Sequence, residues 1–143
     1  MSEAPIFVID DAADVRDSLE VLLDSAGYRC RAFESALAFL AEVRPAWKGC
    51  IVVDVRMPGM TGIELMKELT LRGIRLPVVV ITAHADVPMA VAALKSGAVD
   101  FIEKPFRGDV LLASIKTALA TPMDEVGRAG GASAAALLKT LSE

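Results

Sequence analysis

The chain has few of the residues from which metal, disulfide and nucleic-acid sites are usually built. It holds two cysteines and one histidine in 143 residues, and Cys30 and Cys50 lie in apolar runs without CxxC or Cys/His spacing. This pattern points to neither a zinc site nor a disulfide framework, and it predicts two buried, reduced thiols. No basic cluster occurs and the net charge is -4. The chain by itself is therefore a poor candidate for binding the nucleic-acid backbone.

Long hydrophobic runs are also missing. No segment approaches the roughly 18 apolar residues of a membrane span, and Met1 to Pro5 lacks the basic and apolar parts of a signal peptide. We therefore expect a cytoplasmic protein with no membrane partner. What the chain does have is 54% hydrophobic and 24% charged residues, which is enough apolar material for one buried core in a single domain.

A β-rich run followed by a segment with helical periodicity occurs five times along the chain. The β-rich runs are residues 6–9, 28–33, 50–53, 77–82 and 101–102. Alternation of this kind is typical of βα units around a parallel sheet. Signals for helix starts follow four of the runs, namely Ser35 as a cap, Thr61 with Glu64 as a capping box, Pro88 in a first turn and Asp109 as a cap. Pro45 is expected to close the second helix.

Polar side chains stand where the β-rich runs end. They are Asp10 and Asp11 after the first run, Asp54 after the third, Thr82 at the end of the fourth and Lys104 after the fifth. Taken singly, each has an ordinary explanation as a turn residue, a β-former or a solvated surface group. The carboxyl ends of the strands of an open parallel sheet lie at one edge, and ligands bind outside it. We therefore expect all five side chains to converge there.

This set of side chains points to phosphoryl chemistry. Three carboxylates held close together repel one another unless a cation neutralises them, and an all-oxygen donor set suits a hard ion such as Mg2+. Mg2+ usually takes one or two protein carboxylates and leaves an oxygen able to act as nucleophile. Asp54 is the candidate nucleophile, with an aspartyl phosphate as product. Lys104 would balance the phosphoryl charge, and the Thr82 hydroxyl would donate to a phosphoryl oxygen.

These residues resemble the receiver domain of bacterial two-component response regulators. The resemblance covers residues 5 to about 119. It rests on Asp10-Asp11, on Asp54-Val55-Arg56-Met57-Pro58 followed by Gly62, on Val80-Ile81-Thr82-Ala83, and on Asp100-Phe101-Ile102-Glu103-Lys104-Pro105-Phe106. Within the family, residues 81–91 and 97–101 are similar to FixJ-type regulators.

The resemblance implies a fold and a reaction. The fold is an α/β, flavodoxin-like, doubly wound (βα)5 arrangement with a five-stranded parallel sheet in the order 2-1-3-4-5. The reaction is phosphoryl transfer from a phosphohistidine of a sensor histidine kinase to Asp54. The Mg2+ cofactor would be held by Asp11, Asp54 and the backbone carbonyl of Arg56, with Asp10 assisting through a water molecule.

A conformational switch is implied in the same way. Thr82 would move toward the phosphoryl group and Phe101 would turn inward, although an ordinary core aromatic is a competing interpretation of Phe101. This change would reshape the surface of the fourth helix, fifth strand and fifth helix, which then forms a homodimer or releases an output domain. The resemblance also implies a cis peptide bond at Pro105. Arg56 and His84 are interpreted as surface residues that tune water access to the phosphate.

Two other functions fit an α/β sheet with acidic strand ends. An Mg-dependent aspartyl phosphohydrolase would have a D-x-D pattern and a capping insertion, whereas Asp10 and Asp11 are adjacent and no loop is long enough for a cap. A flavodoxin-like nucleotide binder needs a phosphate cradle after the first strand, but Ala12-Ala13-Asp14 offers neither glycines nor net positive charge. Both alternatives are weaker than the signalling module.

The composition changes after residue 121. We assign residues 1–121 to a receiver domain, 122–136 to a linker with five alanines and three glycines, and 137–143 to the start of a missing output domain. An Ala-rich helical extension is the alternative for the linker. The ending Leu141-Ser142-Glu143 resembles the opening of a LuxR-type helix-turn-helix domain. DNA would then be bound only through that missing domain, and a stand-alone receiver acting through protein contacts is the other possibility.

Overall fold

The computed structural model describes residues 4–83 and 86–121. In these residues five parallel strands form one sheet in the order β2-β1-β3-β4-β5. The strands are β1 (Ile6–Ile9), β2 (Cys30–Phe33), β3 (Cys50–Asp54), β4 (Val78–Thr82) and β5 (Asp100–Glu103). The helices are α1 (Ala13–Ser25), α2 (Ala36–Leu40), α3 (Gly62–Leu71), α4 (Val87–Lys95) and α5 (Gly108–Leu119). The expected doubly wound, flavodoxin-like (βα)5 fold is confirmed.

Some of the expectations concern residues that the structure does not describe. His84, the linker at 122–136 and the proposed start of an output domain at 137–143 lie outside the described residues. Among the helices that are described, none is both long and apolar enough to cross a membrane.

Each face of the sheet is covered by its own layer of helices. Phe7 and Ile9 point into one apolar layer with side chains of α2, α3 and α4, whereas Ile6 and Val8 point into the other with α1 and α5. Successive residues of a strand face opposite sides of the sheet. All four residues of β1 are therefore buried, which explains why the central strands read as continuous apolar runs instead of alternating ones.

Two of the expected helix caps are present. The Ala38 backbone N–H donates to Ser35 Oγ at 3.0 Å. In the capping box of α3, the Glu64 N–H donates to Thr61 Oγ1 at 3.2 Å and the Thr61 N–H donates to Glu64 Oε1 at 2.9 Å. These bonds satisfy backbone donors that the first turn of a helix leaves free.

The expected cap at Asp109 is wrong. Helix α5 begins at Gly108 and its N-cap is Arg107, whose side chain makes no capping bond. Asp109 lies inside the first turn, where its carboxylate accepts from the Arg107 guanidinium at 3.0 Å. A negative charge there is still favourable because it faces the positive end of the helix dipole.

The second helix and second strand are shorter than expected. Helix α2 ends at Leu40 rather than near Pro45, because the Glu42 and Val43 N–H groups both donate to the Phe39 carbonyl and tighten the chain into a turn. Strand β2 begins at Cys30 rather than at residue 28.

The two thiols differ in exposure, so the expectation of two buried cysteines is half wrong. Cys50 is fully buried, whereas Cys30 is only partly buried on the edge strand β2. Burial raises the pKa of Cys30 to about 11, with a smaller contribution from the charge of Glu20. Burial alone raises the pKa of Cys50 to about 12.

Alkylation by iodoacetamide tests the state of Cys30. With a pKa of about 11 in place of 9.0, its thiolate fraction at neutral pH is about a hundredfold below that of an ordinary cysteine, and the thiolate is the reactive form. Labelling followed by peptide mass spectrometry should give a rate that still rises at about pH 10, above the range in which a free thiol levels off. A plateau at the pH where N-acetylcysteine levels off would contradict this.

A substitution at Gly49 tests the packing of the chain before β3. Its φ is +139°, and a Cβ placed there would collide with the Pro5 carbonyl oxygen. We expect Gly49→Ala to lower the free energy of unfolding by about 3 kcal/mol, combining backbone strain with a clash that requires the backbone to move. Urea unfolding measures the effect.

Gly73→Ala is the matched control, since its φ is +71° but nothing lies within 4 Å of an added Cβ. It should cost only about 1 kcal/mol. Equal losses in the two variants would show that the close approach at Gly49 contributes nothing.

Candidate functional site

The carboxylates gather at the carboxyl edge of the sheet because β1 and β3 are neighbours. Ile9 pairs in register with Val53, so the next residues along the two strands, Asp10 and Asp54, stand side by side. One carboxylate oxygen each from Asp10, Asp11 and Asp54 lie within 4.8 Å of one another. Like charges this close repel one another, which favours the binding of a cation.

Asp10 is the buried member of this cluster, with 2% of its surface exposed. Its Oδ1 accepts from the Ala12 N–H at 2.9 Å, whereas Oδ2 is buried without a hydrogen-bond partner. Burial raises the pKa of Asp10, and the charges of Asp54 and Asp11 add to this, against the opposing effects of the Ala12 N–H and Lys104. An unpaired buried carboxylate oxygen is costly. The donor set, all oxygen and including this unpaired atom, fits a hard divalent cation.

Asp54 is mostly buried but reachable, with 14% of its side chain exposed. Its Oδ1 accepts from the Arg56 N–H at 3.1 Å. Its Oδ2 lies 3.4 Å from Lys104 Nζ. One carboxylate therefore lies close to two other acids, within 4.8 Å, and to an ammonium group.

Lys104 reaches Asp54 from the end of β5. Its backbone N–H donates to the Thr82 carbonyl at 2.7 Å, which ties the segment after β5 to the end of β4. The Lys104–Pro105 peptide bond is cis.

The five residues that were expected to converge are all at this edge of the sheet. They are Asp10, Asp11, Asp54, Thr82 and Lys104.

Thr82 and Phe101 occupy neighbouring strands beside the carboxylates. Thr82 is completely buried, and its hydroxyl donates to the Ala83 carbonyl at 3.1 Å. Phe101 pairs in register with Val80 on β4, and its partly buried ring packs against the layer formed with α2, α3 and α4. Phe101 therefore lies two residues before Glu103, the residue of β5 that pairs with Thr82.

Arg56 is turned toward α4. Its Nε lies 3.0 Å from Asp86 Oδ1, and one of its terminal nitrogens lies 3.2 Å from Met89 Sδ. Reasoning from the sequence assigned Asp86 no role. Its position just before a helix is a signal for an N-cap, yet its side chain makes no capping bond and pairs with Arg56 instead.

Two further polar links were not foreseen, one through Asp100 at the start of β5 and one between Arg16 and the end of β1. The Ser114 hydroxyl donates to Asp100 Oδ2 at 2.6 Å, and Asp100 Oδ1 accepts from the Phe101 N–H at 2.8 Å. A terminal nitrogen of Arg16 donates to the Asp10 carbonyl at 2.7 Å. The first contact joins α5 to the strand that carries Phe101, and the second ties α1 to the end of β1.

Comparison with known proteins agrees with this geometry. A family model for the response regulator receiver domain matches residues 6–116. The transcriptional regulatory protein FixJ of Bradyrhizobium diazoefficiens is 52% identical over 114 residues, which are 80% of this chain and 56% of that protein. The chain spans about half the length of the curated relatives it matches.

Solved structures show the same fold. The crystal structure of full-length FixJ from B. japonicum has a TM-score of 0.79 and 50% identity, covering 83% of this chain and 59% of that one. The crystal structure of FixJ-N has a TM-score of 0.78 and 44% identity, covering 85% of this chain and 98% of that one. The chain therefore belongs to the response regulator receiver domain family, within which it is similar to the FixJ regulators.

Proposed function

We propose that this chain accepts a phosphoryl group on Asp54 and that the adduct switches the surface formed by α4, β5 and α5. The observation that carries the proposal is the position of the Asp54 carboxylate, between two further carboxylates and an ammonium group 3.4 Å away. A carboxylate can act as a nucleophile toward phosphorus when its charge is balanced by cations.

Mg2+ is the cofactor that the donor set suits. Asp11, Asp54 and the backbone carbonyl of Arg56 would hold it, and Asp10 would act through a water molecule. The buried, unpartnered Oδ2 of Asp10 supports this assignment. A nearby cation offsets the free-energy cost of burying that oxygen without a hydrogen bond. When bound, Mg2+ neutralises charge on the carboxylates and on the phosphoryl oxygens.

The phosphoryl donor would be a phosphohistidine of a sensor histidine kinase, the partner of two-component response regulators as a class. One carboxylate oxygen of Asp54 attacks phosphorus, the P–N bond breaks, and its electron pair returns to the imidazole of the kinase. Lys104 would donate to a phosphoryl oxygen. Reaction at Asp54 itself makes the chain a phosphoryl acceptor that undergoes self-catalysed phosphorylation and dephosphorylation only.

Thr82 supplies the switch in this proposal. Its hydroxyl donates to the Ala83 carbonyl in the present structure, and a phosphoryl group offers three acceptors and about -1.5 to -2 charges in competition with that carbonyl. Shifting an inactive:active ratio from 99:1 to 1:99 requires about 5.5 kcal/mol. A few charge-assisted hydrogen bonds have that strength. Movement of Thr82 would let Phe101 turn inward, while Arg56 and His84 tune water access to the phosphate.

The output would be a protein contact. Val91 on α4 and Val110 on α5 are apolar side chains with 41% and 46% of their surface exposed, and burying them favours a homodimer through the α4, β5 and α5 surface. The proposal keeps residues 1–121 as the receiver, 122–136 as a linker, and 137–143 as the start of a DNA-binding domain. Such a transcriptional regulator would act in the cytoplasm, and the chain would reach DNA only through that domain.

Intact mass spectrometry after incubation with acetyl phosphate and Mg2+ tests the acceptor. We expect one phosphoryl adduct, which Asp54→Asn abolishes and a chelator prevents, because both the nucleophile and the charge balance are needed. Size-exclusion elution of the same samples should shift toward a dimer.

Asp24→Asn, an exposed carboxylate on α1, is the matched control and should be labelled like the unaltered chain. An adduct that survives in Asp54→Asn would place the acceptor elsewhere. Steady release of phosphate from many small phosphate esters, without an adduct, would favour the phosphohydrolase.

Asp10→Asn tests the cation site. In the absence of Mg2+ at neutral pH, we expect this variant to raise the free energy of unfolding by about 1 kcal/mol, since it removes a buried charge while the amide oxygen can still accept from Ala12. The stabilisation by added Mg2+ should shrink at the same time. Urea unfolding with and without MgCl2 gives both quantities.

Asp17→Asn, an exposed carboxylate on α1 outside the cluster, should change neither quantity. If Asp10→Asn destabilised the Mg-free protein and kept the full response to Mg2+, Asp10 would have a structural role only.

A further inference from the structure

A concave site lies at the amino edge of the sheet, the end opposite the carboxylates. It has a volume of about 610 Å³, within the range of roughly 300–1,000 Å³ typical of small-molecule sites. We call it the amino-edge groove, and define it by six of its lining residues: Pro5, Phe7, Arg29, Arg31, Trp47 and Lys48. None of them belongs to the phosphoryl-acceptor site.

The apolar part of the groove is built on stacked aromatic rings. The Trp47 indole stacks on the Phe7 ring with centroids 5.0 Å apart and planes 17° from parallel. Both rings also contact Phe39 in α2, with centroids 6.1 and 5.6 Å away. Aromatic stacking of this kind adds to the free energy gained by burial. Trp47 lies on the loop before β3, and these ring contacts hold its indole against the core.

Arg31 is held in place beside this wall. Its guanidinium carbon lies 5.0 Å from the Trp47 ring centroid and 5.3 Å from that of Phe33. One terminal nitrogen donates to Glu42 Oε1 at 2.6 Å. That bond engages one of the five N–H groups of a guanidinium. A cation already fixed by packing loses little side-chain entropy when it binds an anion.

The charges around the groove are mostly positive. Lys48 and Arg29 are exposed and line it with Arg31, and in the described part of the chain neither Lys48 nor Arg29 makes an ion pair. Arg29 also borders a neighbouring groove that contains Glu20 and Asp24. Of the three cations, Arg31 and Lys48 are therefore the ones that distinguish the amino-edge groove.

We propose that the amino-edge groove binds an aromatic organic anion. The flat apolar body would lie against the exposed part of Trp47, with the buried Phe7 ring behind it. A carboxylate or phosphate group would accept from Lys48 and the unused N–H groups of Arg31. This combination of an apolar surface with a few fixed polar groups is typical of small-molecule sites. The proposal is independent of phosphorylation, because the groove and Asp54 lie at opposite ends of the sheet.

NMR titration of the whole unphosphorylated chain tests the proposal. The probes are 1-naphthoate, 1-naphthyl phosphate and the uncharged analogue naphthalene-1-carboxamide. The chain has one tryptophan, so its single indole N–H signal reports on the groove directly. We expect saturable shifts of that signal and of the amides around Arg31 and Lys48, with the charged probes binding about tenfold more tightly than the amide. The relative affinities of the two charged probes tell which anionic group is preferred.

Two groove variants and one matched control complete the experiment. Lys48→Glu and Arg31→Gln should each weaken 1-naphthoate binding by about tenfold. Arg75→Glu, an exposed cation on the loop before β4 at the same edge, should change the affinity by less than about twofold. Circular dichroism checks that each variant folds. If Arg31→Gln does not fold, Lys48→Glu alone tests the contribution of the cations.

Several results would overturn the proposal. Equal binding of the uncharged analogue would show that the cations do not contribute. Non-saturable shifts, or shifts centred on the carboxylate cluster, would show that the groove is not the binding site. An unchanged affinity in Lys48→Glu would show that Lys48 makes no contact with the anion. An equal loss of affinity in Arg75→Glu would show that the anion is attracted by the general charge of the surface.

Discussion

Mutual repulsion among three carboxylates is the constraint around which the functional end of this molecule is built. Parallel pairing of β1 with β3 forces Asp10 and Asp54 together, and Asp11 completes the cluster. The charges are held there by a core packed on both faces of the sheet, with Lys104 as the nearby cation. Stability at this edge is given up for an acidic cluster that could hold a metal ion, a trade-off that is common at functional sites.

Helix α4 is connected to the carboxylates through side chains as well as through the backbone. Arg56, two residues after Asp54, pairs with Asp86 at the beginning of α4. A change of charge at Asp54 therefore has a short physical connection to α4. Helix α5 is joined to the other end of β5, where Ser114 donates to Asp100. The opposite edge is built differently, since there the aromatic stack of Phe7 and Trp47 holds the groove. Strand β1 separates the two ends by four residues, about 13 Å.

Local sequence patterns predicted most of the elements. The apolar runs of β1, β3 and β4, the capping box at Thr61 and the proline in the first turn of α4 all have their expected places. Patterns of this kind succeed because the interactions they reflect join residues at most four positions apart. They failed at helix ends, where a single backbone bond or a shift of one or two residues decides the boundary. The end of α2 depends on a turn around the Phe39 carbonyl, and the start of α5 moved one residue ahead of Asp109.

The site shows the same division. The sequence by itself determined which polar residues stand at the carboxyl ends of the strands, because each of them follows or ends a recognisable strand. They are Asp10, Asp11, Asp54, Thr82 and Lys104. The strand order came from the family resemblance, since periodicity contains no information about which strands are neighbours. Only the tertiary structure decided that Asp10 is buried with one unpaired oxygen, that Arg56 pairs with Asp86 thirty positions away, and that Trp47 forms one wall of a groove. Burial and partner choice are properties of the packed chain, and contacts between residues far apart in sequence leave no local pattern from which they could be predicted.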